Sequence, residues 1–210
     1  MNKDESHPDI GGRHAKFALA ILVVVYVFNF IDRQILSILA EEIQADLGIS
    51  DSGIGFLYGT AFAVFYSVVG IPLGRLADVW TRKNLISIGL ATWSFFTILS
   101  GTAKSFFFLA FCRLGVGIGE SSASPSAYSL LSDYFSPKVR TTVLAIYSSG
   151  VYIGSGIGLF LGGAIVEYWN TLFPDPSMAP FGIRGWQAAF IAVGLPGLLL
   201  ALVTLSLIHI

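Results

Sequence analysis

The sequence predicts an all-α membrane protein whose six transmembrane helices form two inverted three-helix repeats. Three observations predict it. The 210 residues are 54% hydrophobic and only 12% charged, against roughly 25% charged in an average soluble domain. Six apolar runs are each long enough to cross a hydrocarbon core of ~30 Å, for which about 20 residues suffice. The two halves of the chain also echo one another in sequence. A soluble globule of this composition lacks the polar residues to cover itself. A single cysteine, Cys112, excludes a disulfide scaffold. A net charge of −1 leaves no electrostatic footprint for nucleic acid.

The expected spans run over 17–40, 53–76, 85–103, 106–132, 141–168 and 186–208. Residues 1–16 read as a polar tail. The run that follows is too long for a signal-peptide core and closes on no small-residue cleavage site, so it reads as a retained first span. Lys/Arg placement sets the orientation. Lys3, Arg13 and Lys16 of the tail, Arg75, Arg82 and Lys83 between spans two and three, and Lys138 and Arg140 between spans four and five fall on one side. The other side holds only Lys104 and Arg184. The amino terminus is therefore expected in the cytoplasm, most simply at a bacterial inner membrane.

The repeat shows in Gly74-Arg-Leu-Ala-Asp78-Val-Trp80 and Gly163-Ala-Ile-Val-Glu167-Tyr-Trp169, which share G-x-x-x-[D/E]-x-W at an offset of 89. A nearly equal offset, 88, carries Asp32, the acid of span one, onto Glu120, the acid of span four. An odd number of helices per unit makes the second copy inverted, an arrangement common in secondary transporters.

Asp32, Arg33, Arg113 and Glu120 lie well inside spans. Insertion scales place each such charge at ~2.5–3.5 kcal/mol near a helix centre. The four persist only by facing the bundle interior, pairing or lining water. Two acids and two bases can neutralise one another. Arg113, Gly117, Glu120 and Ser124 share one face of span four. At ~1.5 Å per residue, Asp32 and Arg33 reach depths close to Arg113 or between it and Glu120. Depth alone leaves open which pairs form. A buried clamp without a transport role is the plainer reading. The functional one is proton coupling: burial favours a neutral carboxyl and a nearby arginine favours the ionised form, so a moving arginine would bind and release a proton.

Gly150, Gly154, Gly158 and Gly162 recur every four residues in span five and form one stripe, expected as a close helix–helix seam. Tyr58, Phe62 and Tyr66 line one face of span two, where packing or lipid contact competes with a role along a solute path. Pro72, Pro125 and Pro196 would loosen their helices. Trp169 and Trp186 fit an interfacial aromatic belt.

Several of these segments resemble the major facilitator superfamily. Gly74-Arg-Leu-Ala-Asp78-Val-Trp-Thr-Arg82-Lys83 resembles its 2–3 loop motif, with Val79 and Thr81 departing from the pattern. Arg113-Leu-Gly-Val-Gly117-Ile-Gly119 resembles its fourth-helix motif, and Asp133-Tyr-Phe135-Ser-Pro137-Lys-Val-Arg140 is similar to its 4–5 loop. Asn29-Phe-Ile-Asp32-Arg33 with Gly117-Ile-Gly119-Glu120 resembles the spinster branch, proton-linked or facilitative carriers associated with sphingolipids and lysolipids. The resemblance implies that Asp32, Arg33 and Glu120 form the polar centre tied to protonation and solute, with Arg113 as partner. It also implies a gating loop of Gly74, Asp78, Arg82 and Lys83, in which Asp78 accepts hydrogen bonds or pairs with Arg82 or with a base across the half interface. The antiporter Gly-Pro step of span five is absent, since Ser155 follows Gly154.

By this resemblance the chain is the N-terminal half of a twelve-helix fold, partnered by a second six-helix half. Leu205-Ser-Leu-Ile-His-Ile210 matches the translation of a transposon-end adapter from sequencing libraries, so the natural segment is expected to cover 17–204, with 205–210 foreign. The expected function is alternating-access transport of a small organic or amphiphilic, lipid-like solute, with membrane lipid and no cofactor as its surroundings. A non-transporting receptor or scaffold on the same helices is the alternative. An enzyme is not expected, because no metal-ligand spacing, paired acids or Ser-His arrangement occurs in the spans.

Overall fold

The computed structural model describes residues 11–207, and among these the ordered elements are all helical. Residues 1–10, with Lys3, and 208–210 lie outside the described residues; Arg13 and Lys16 of the expected tail already belong to the first helix, and residues 205–207 of the segment expected to be foreign continue the last one. Span one is α1 (Arg13–Ile38), followed by the short α2 (Ala40–Leu47). Gly48 ends α2 with a left-handed φ of 64°, a conformation that costs glycine nothing. Span two is composite: α3 (Asp51–Gly55), capped by the Ser50 hydroxyl, passes through a π-helical turn at Phe56–Thr60 into α4 (Ala61–Val79). Span three is α5 (Arg82–Ser100).

Span four, expected as one helix, is two. α6 (Phe106–Ser121) and α7 (Ala123–Tyr134) meet at Ser122. The cause lies in the sequence: Pro125 has no N–H to donate to the carbonyl of Ser121. The Ser122 hydroxyl instead donates to the carbonyls of Gly119 and Leu85, at 2.9 and 3.3 Å. Span five, α8 (Pro137–Leu172), starts with proline in its first turn and is 36 residues long, extending beyond the expected run at both ends. α9 (Gly185–Leu207) closes the chain.

Five helical stretches, all but α5, are long and apolar enough to cross a membrane. α5 opens on Arg82, Lys83 and Asn84 and carries buried Ser87, Ser94, Thr97 and Ser100. It packs mainly against α6 and α9.

The packing follows the repeat. α1 lies along α8, α4 along α6, and α5 along α9. Exchanging spans one with four, two with five and three with six turns the first of these pairs into the second and leaves the third unchanged. Two inverted three-helix units pack in this way.

The expected glycine seam is the α1–α8 contact. Gly150, Gly154, Gly158 and Gly162 are all buried. A Cβ at Gly158 would lie 3.0 Å from the Ile31 Cα, and one at Gly162 3.3 Å from Ile38 Cγ2. Two further close approaches lie outside that stripe. Gly119 presses on α5, where a Cβ would fall 2.8 Å from the Gly89 carbonyl oxygen, and a Cβ at Gly194 would fall 2.9 Å from the Ser94 carbonyl oxygen.

Two apolar cores result. Leu22, Val25, Leu90, Trp93, Val116 and Tyr147 belong to one. Ile35, Leu36, Ile43, Leu109, Trp186 and Phe190 belong to the other. The second core is strapped at its end by α2. Asp46 accepts a hydrogen bond from Trp186 Nε1 at 2.9 Å and pairs with Arg184 at 2.9 Å. Trp186 is therefore a buried core residue rather than part of an interfacial belt, because its indole N–H has a carboxylate partner within the protein.

The half-exposed Arg184 contributes little to this strap. Stranding the buried indole N–H costs about 1–3 kcal/mol. Asp46→Ala is accordingly expected to lower the thermal unfolding midpoint in detergent, and Asp46→Asn, which still offers an acceptor, to recover most of the loss.

Candidate functional site

Two helices bring four ionisable groups together between the two cores, and two more helices line them. α1 supplies Asp32 and Arg33, α5 supplies Thr97, α6 supplies Arg113 and Glu120, and α4 supplies an aromatic wall. Along α1 the step from Val25 to Ile31 crosses from one core to the other, and Leu109 to Val116 does so along α6. Asp32 and Arg113 therefore sit where apolar packing changes hands.

The four charges form two pairs. Arg33 Nε donates to Glu120 Oε2 at 2.7 Å. Arg113 Nη1 lies 3.5 Å from Asp32 Oδ1, close enough for an ion pair but without hydrogen-bond alignment. The second carboxylate oxygen of Asp32 accepts from the Thr97 hydroxyl. Each pair is neutral, which explains how four charges persist in the spans. Breaking such a pair costs about 3–5 kcal/mol, whereas replacing both members by apolar groups is often nearly neutral. Stability alone therefore gives little reason for charges here.

The pairs differ in access. Asp32 and Arg113 are both buried. Glu120 is fully enclosed, yet the Arg33 side chain is 28% exposed. Glu120 Oε1 has no hydrogen-bond partner among the described residues. The Arg33 guanidinium carbon lies 5.1, 4.8 and 5.0 Å from the ring centroids of Phe30, Phe62 and Tyr66. Those distances are within the range of cation–π attraction. Arg33 is thus held on one side by Glu120 and on the others by aromatic faces, with part of its surface open.

The aromatic wall continues away from Arg33. Phe30 meets Tyr26 edge-on at 5.1 Å, Tyr26 stacks on Tyr147 at 4.3 Å, and Tyr147 meets Tyr128 at 5.4 Å. On the other side Phe62 stacks on Tyr66 at 5.6 Å. Phe62 and Tyr66 of the sequence-predicted row reach this wall, whereas Tyr58 lies outside it and is half exposed. Gly117 is where Phe62 comes closest to α6, a Cβ there meeting its ring at 3.4 Å.

Of the contacts open to the loop motif, the Asp78–Arg82 pair is not formed among the described residues. Arg82 pairs with Asp133 at the end of α7, and its Nε donates to the Ala77 carbonyl at 3.4 Å. Asp78 and Trp80 are exposed, and Asp78 makes no hydrogen bond or ion pair among the described residues. The reason is geometric. Trp80 breaks from the helix into extended backbone, so Asp78 ends α4 while Arg82 begins α5 and faces α7. Gly74 and Lys83 are half-buried and flank this turn. Arg140 caps the end of α7, donating from Nη2 to the Ser132 carbonyl at 2.7 Å. Asp133 and Arg140 therefore serve two different contacts at one corner.

Thr97 and the row through Tyr26, Tyr128 and Tyr147 escaped the sequence reading. A hydroxyl in an apolar helix usually bonds its own backbone and gives no signal of an external partner. The tyrosines come from three separate helices, so no single-helix period reveals them.

No group of three or more His, Cys, Asp and Glu with metal-binding geometry occurs among the described residues. A helical bundle of inverted repeats with paired charges at its centre has the architecture of a carrier half. The Major Facilitator Superfamily profile matches residues 22–210, and the chain belongs to this superfamily. Its similarity lies on the spinster side. It is 34% identical, over 80% of this chain and 33% of the other, to a sphingosine-1-phosphate transporter of Xenopus tropicalis. It is 32% identical, over 99% of this chain and 45% of the other, to an MFS-type efflux pump of Mycolicibacterium smegmatis. A crystal structure of a bacterial homolog of the human lysosomal transporter spinster, inward-facing and unoccupied, superposes with a TM-score of 0.85 at 34% identity, covering 91% of this chain and 42% of that one. The chain spans about half the length, or less, of the curated relatives it matches.

Proposed function

We propose that the protein is a secondary transporter that moves an anionic amphiphile by alternating access, with proton occupancy of Glu120 linked to solute occupancy of Arg33. In this reading the chain lies with its amino terminus in the cytoplasm and works with a second six-helix half. The observation that carries it is the Arg33–Glu120 pair. The base is partly open, the acid is enclosed, and the acid has a free oxygen.

A solute anion reaching Arg33 competes with Glu120 for the guanidinium. A carboxylate that loses its counter-charge in an apolar enclosure takes up a proton rather than remain as a bare ion. When the solute leaves, Arg33 returns and the proton is released. Asp32 is held by Arg113 and Thr97 and keeps α1 in register with α6 while Arg33 changes partner. The half-buried Phe30 and Tyr26 and the exposed Tyr128, backed by the buried Tyr147, offer a surface for an apolar chain. A phosphate on a long hydrocarbon, as in the solute for which the Xenopus relative is named, combines the two chemistries.

The test uses the purified full-length protein in liposomes with sphingosine-1-phosphate and, as control, sphingosine. Gradient-driven flux of the phosphate-bearing lipid, with none of the control, is the expected result. Saturable binding without flux would instead support a receptor built on the same helices.

A further inference from the structure

At the end of the bundle where α1 begins, a cavity of about 360 Å3 opens between the first turn of α1, the end of α7 and the start of α8. Its wall is Gly11, Lys16, Phe135, Ser136, Val139 and Val143. The Gly11 amide donates to the Tyr134 carbonyl at 3.0 Å and ties the chain before α1 to the end of α7. This cavity is remote in sequence and chemistry from the Arg33–Glu120 pair.

Its wall has two characters. Phe135 and Val143 are buried, and Val139 is exposed, so one side is apolar. The other side offers donors. Lys16 is exposed and pairs with no carboxylate among the described residues. The Ser136 hydroxyl makes no capping bond to α8 and stays available. No acid lines the wall among the described residues. Arg13 lies one turn before Lys16 and Lys138 two residues after Ser136, and both also lack an ion-pair partner among the described residues. Asp133, three residues before Ser136, is engaged by Arg82. Lys16 immediately precedes the apolar run of α1, so the cavity sits where hydrocarbon gives way to headgroups.

We propose that this corner binds the headgroup of an anionic phospholipid. The Lys16 ammonium and the Ser136 hydroxyl take the phosphate. Phe135, Val139 and Val143 take the glycerol and the first methylenes of an acyl chain. A free phosphate ion gains nothing from the apolar side, whereas a lipid satisfies both sides at once.

The experiment is native mass spectrometry of the full-length protein in detergent, with added phosphatidylglycerol or phosphatidylcholine of matched acyl chains. Preferential retention of phosphatidylglycerol is expected. One lysine near a membrane surface contributes enough to make Lys16→Gln lower that retention about fivefold. Lys104→Gln, at the opposite end of the bundle, is expected to change nothing. Val143→Trp fills the cavity without altering charge and is expected to reduce retention as well, which keeps the test informative if Lys16→Gln folds poorly. Equal retention of the two lipids, or equal effects of Lys16→Gln and Lys104→Gln, would overturn the proposal. So would displacement of the lipid by millimolar inorganic phosphate, which would mark a site for the free anion.

Discussion

Replacing Glu120 by glutamine is expected to leave a folded protein whose solute flux no longer responds to a pH gradient. Glutamine keeps an oxygen where Arg33 Nε now finds Glu120 Oε2, so the guanidinium retains its acceptor and its three aromatic neighbours. It cannot take up a proton. Flux with and without an imposed gradient should therefore become equal, whereas the parent protein should show a ratio well above one. Arg33→Ala offers the contrast. It leaves an enclosed carboxyl without its counter-charge, which must then take up a proton, so the loss stays below the about 3–5 kcal/mol of a stranded buried charge. That variant should unfold at clearly lower temperature, and Glu120→Gln should not. A Glu120→Gln protein whose flux still follows the gradient would remove Glu120 from the coupling mechanism.

Gly154→Leu is expected to produce the largest loss of stability of any single change in α8. A Cβ there would lie 2.8 Å from Phe30 Cβ and nearer still to the Val27 carbonyl oxygen. The obstacle includes backbone, so no rotamer change relieves it and α1 must move away from α8. Overpacking costs about 1–3 kcal/mol where side chains can yield; here the upper end of that range or more is expected. Gly156, two residues on, has open space around its Cβ position. Gly156→Leu is the control, with an expected change within about 0.5 kcal/mol. Thermal unfolding of both variants in detergent separates a seam from a merely glycine-rich helix. Because Phe30 also lies against Arg33, Gly154→Leu should weaken coupled flux in whatever protein survives.

Much of the fold was readable from hydropathy, and its limits have physical causes. The helix ends of the apolar runs follow from a one-dimensional signal that knows the hydrocarbon thickness. α2 is outside that signal, since Ala40–Leu47 is mixed in character and is held by Ile43 in the second core and by Asp46 on Trp186. The division of span four required weighing Pro125 against an unbroken apolar run, and proline won.

The four intramembrane charges were identifiable because their solvent makes them costly. Their pairing was not, because an error of one helical turn in depth exceeds the spacing between Arg113 and Glu120 partners. Of the partners open to Asp78, Arg82 is engaged elsewhere, because the extended backbone at Trp80 separates the end of α4 from the start of α5 and Arg82 pairs with Asp133. The four-residue glycine period, in contrast, translated directly into a seam, since a period of four is itself a helical geometry.

The same seam has a mechanical consequence. Gly150, Gly154 and Gly158 bring α8 against the α1 backbone at Val23, Val27 and Ile31 over about two turns, so the two helices behave as a single stiff beam. α4 is the opposite case: Pro72 interrupts its hydrogen-bond ladder. Deformation of this bundle is therefore unequally shared. The edge formed by α1 and α8 transmits displacement without absorbing it, and bending collects on the α4 edge, within reach of the guanidinium that Phe62 and Tyr66 hold in place.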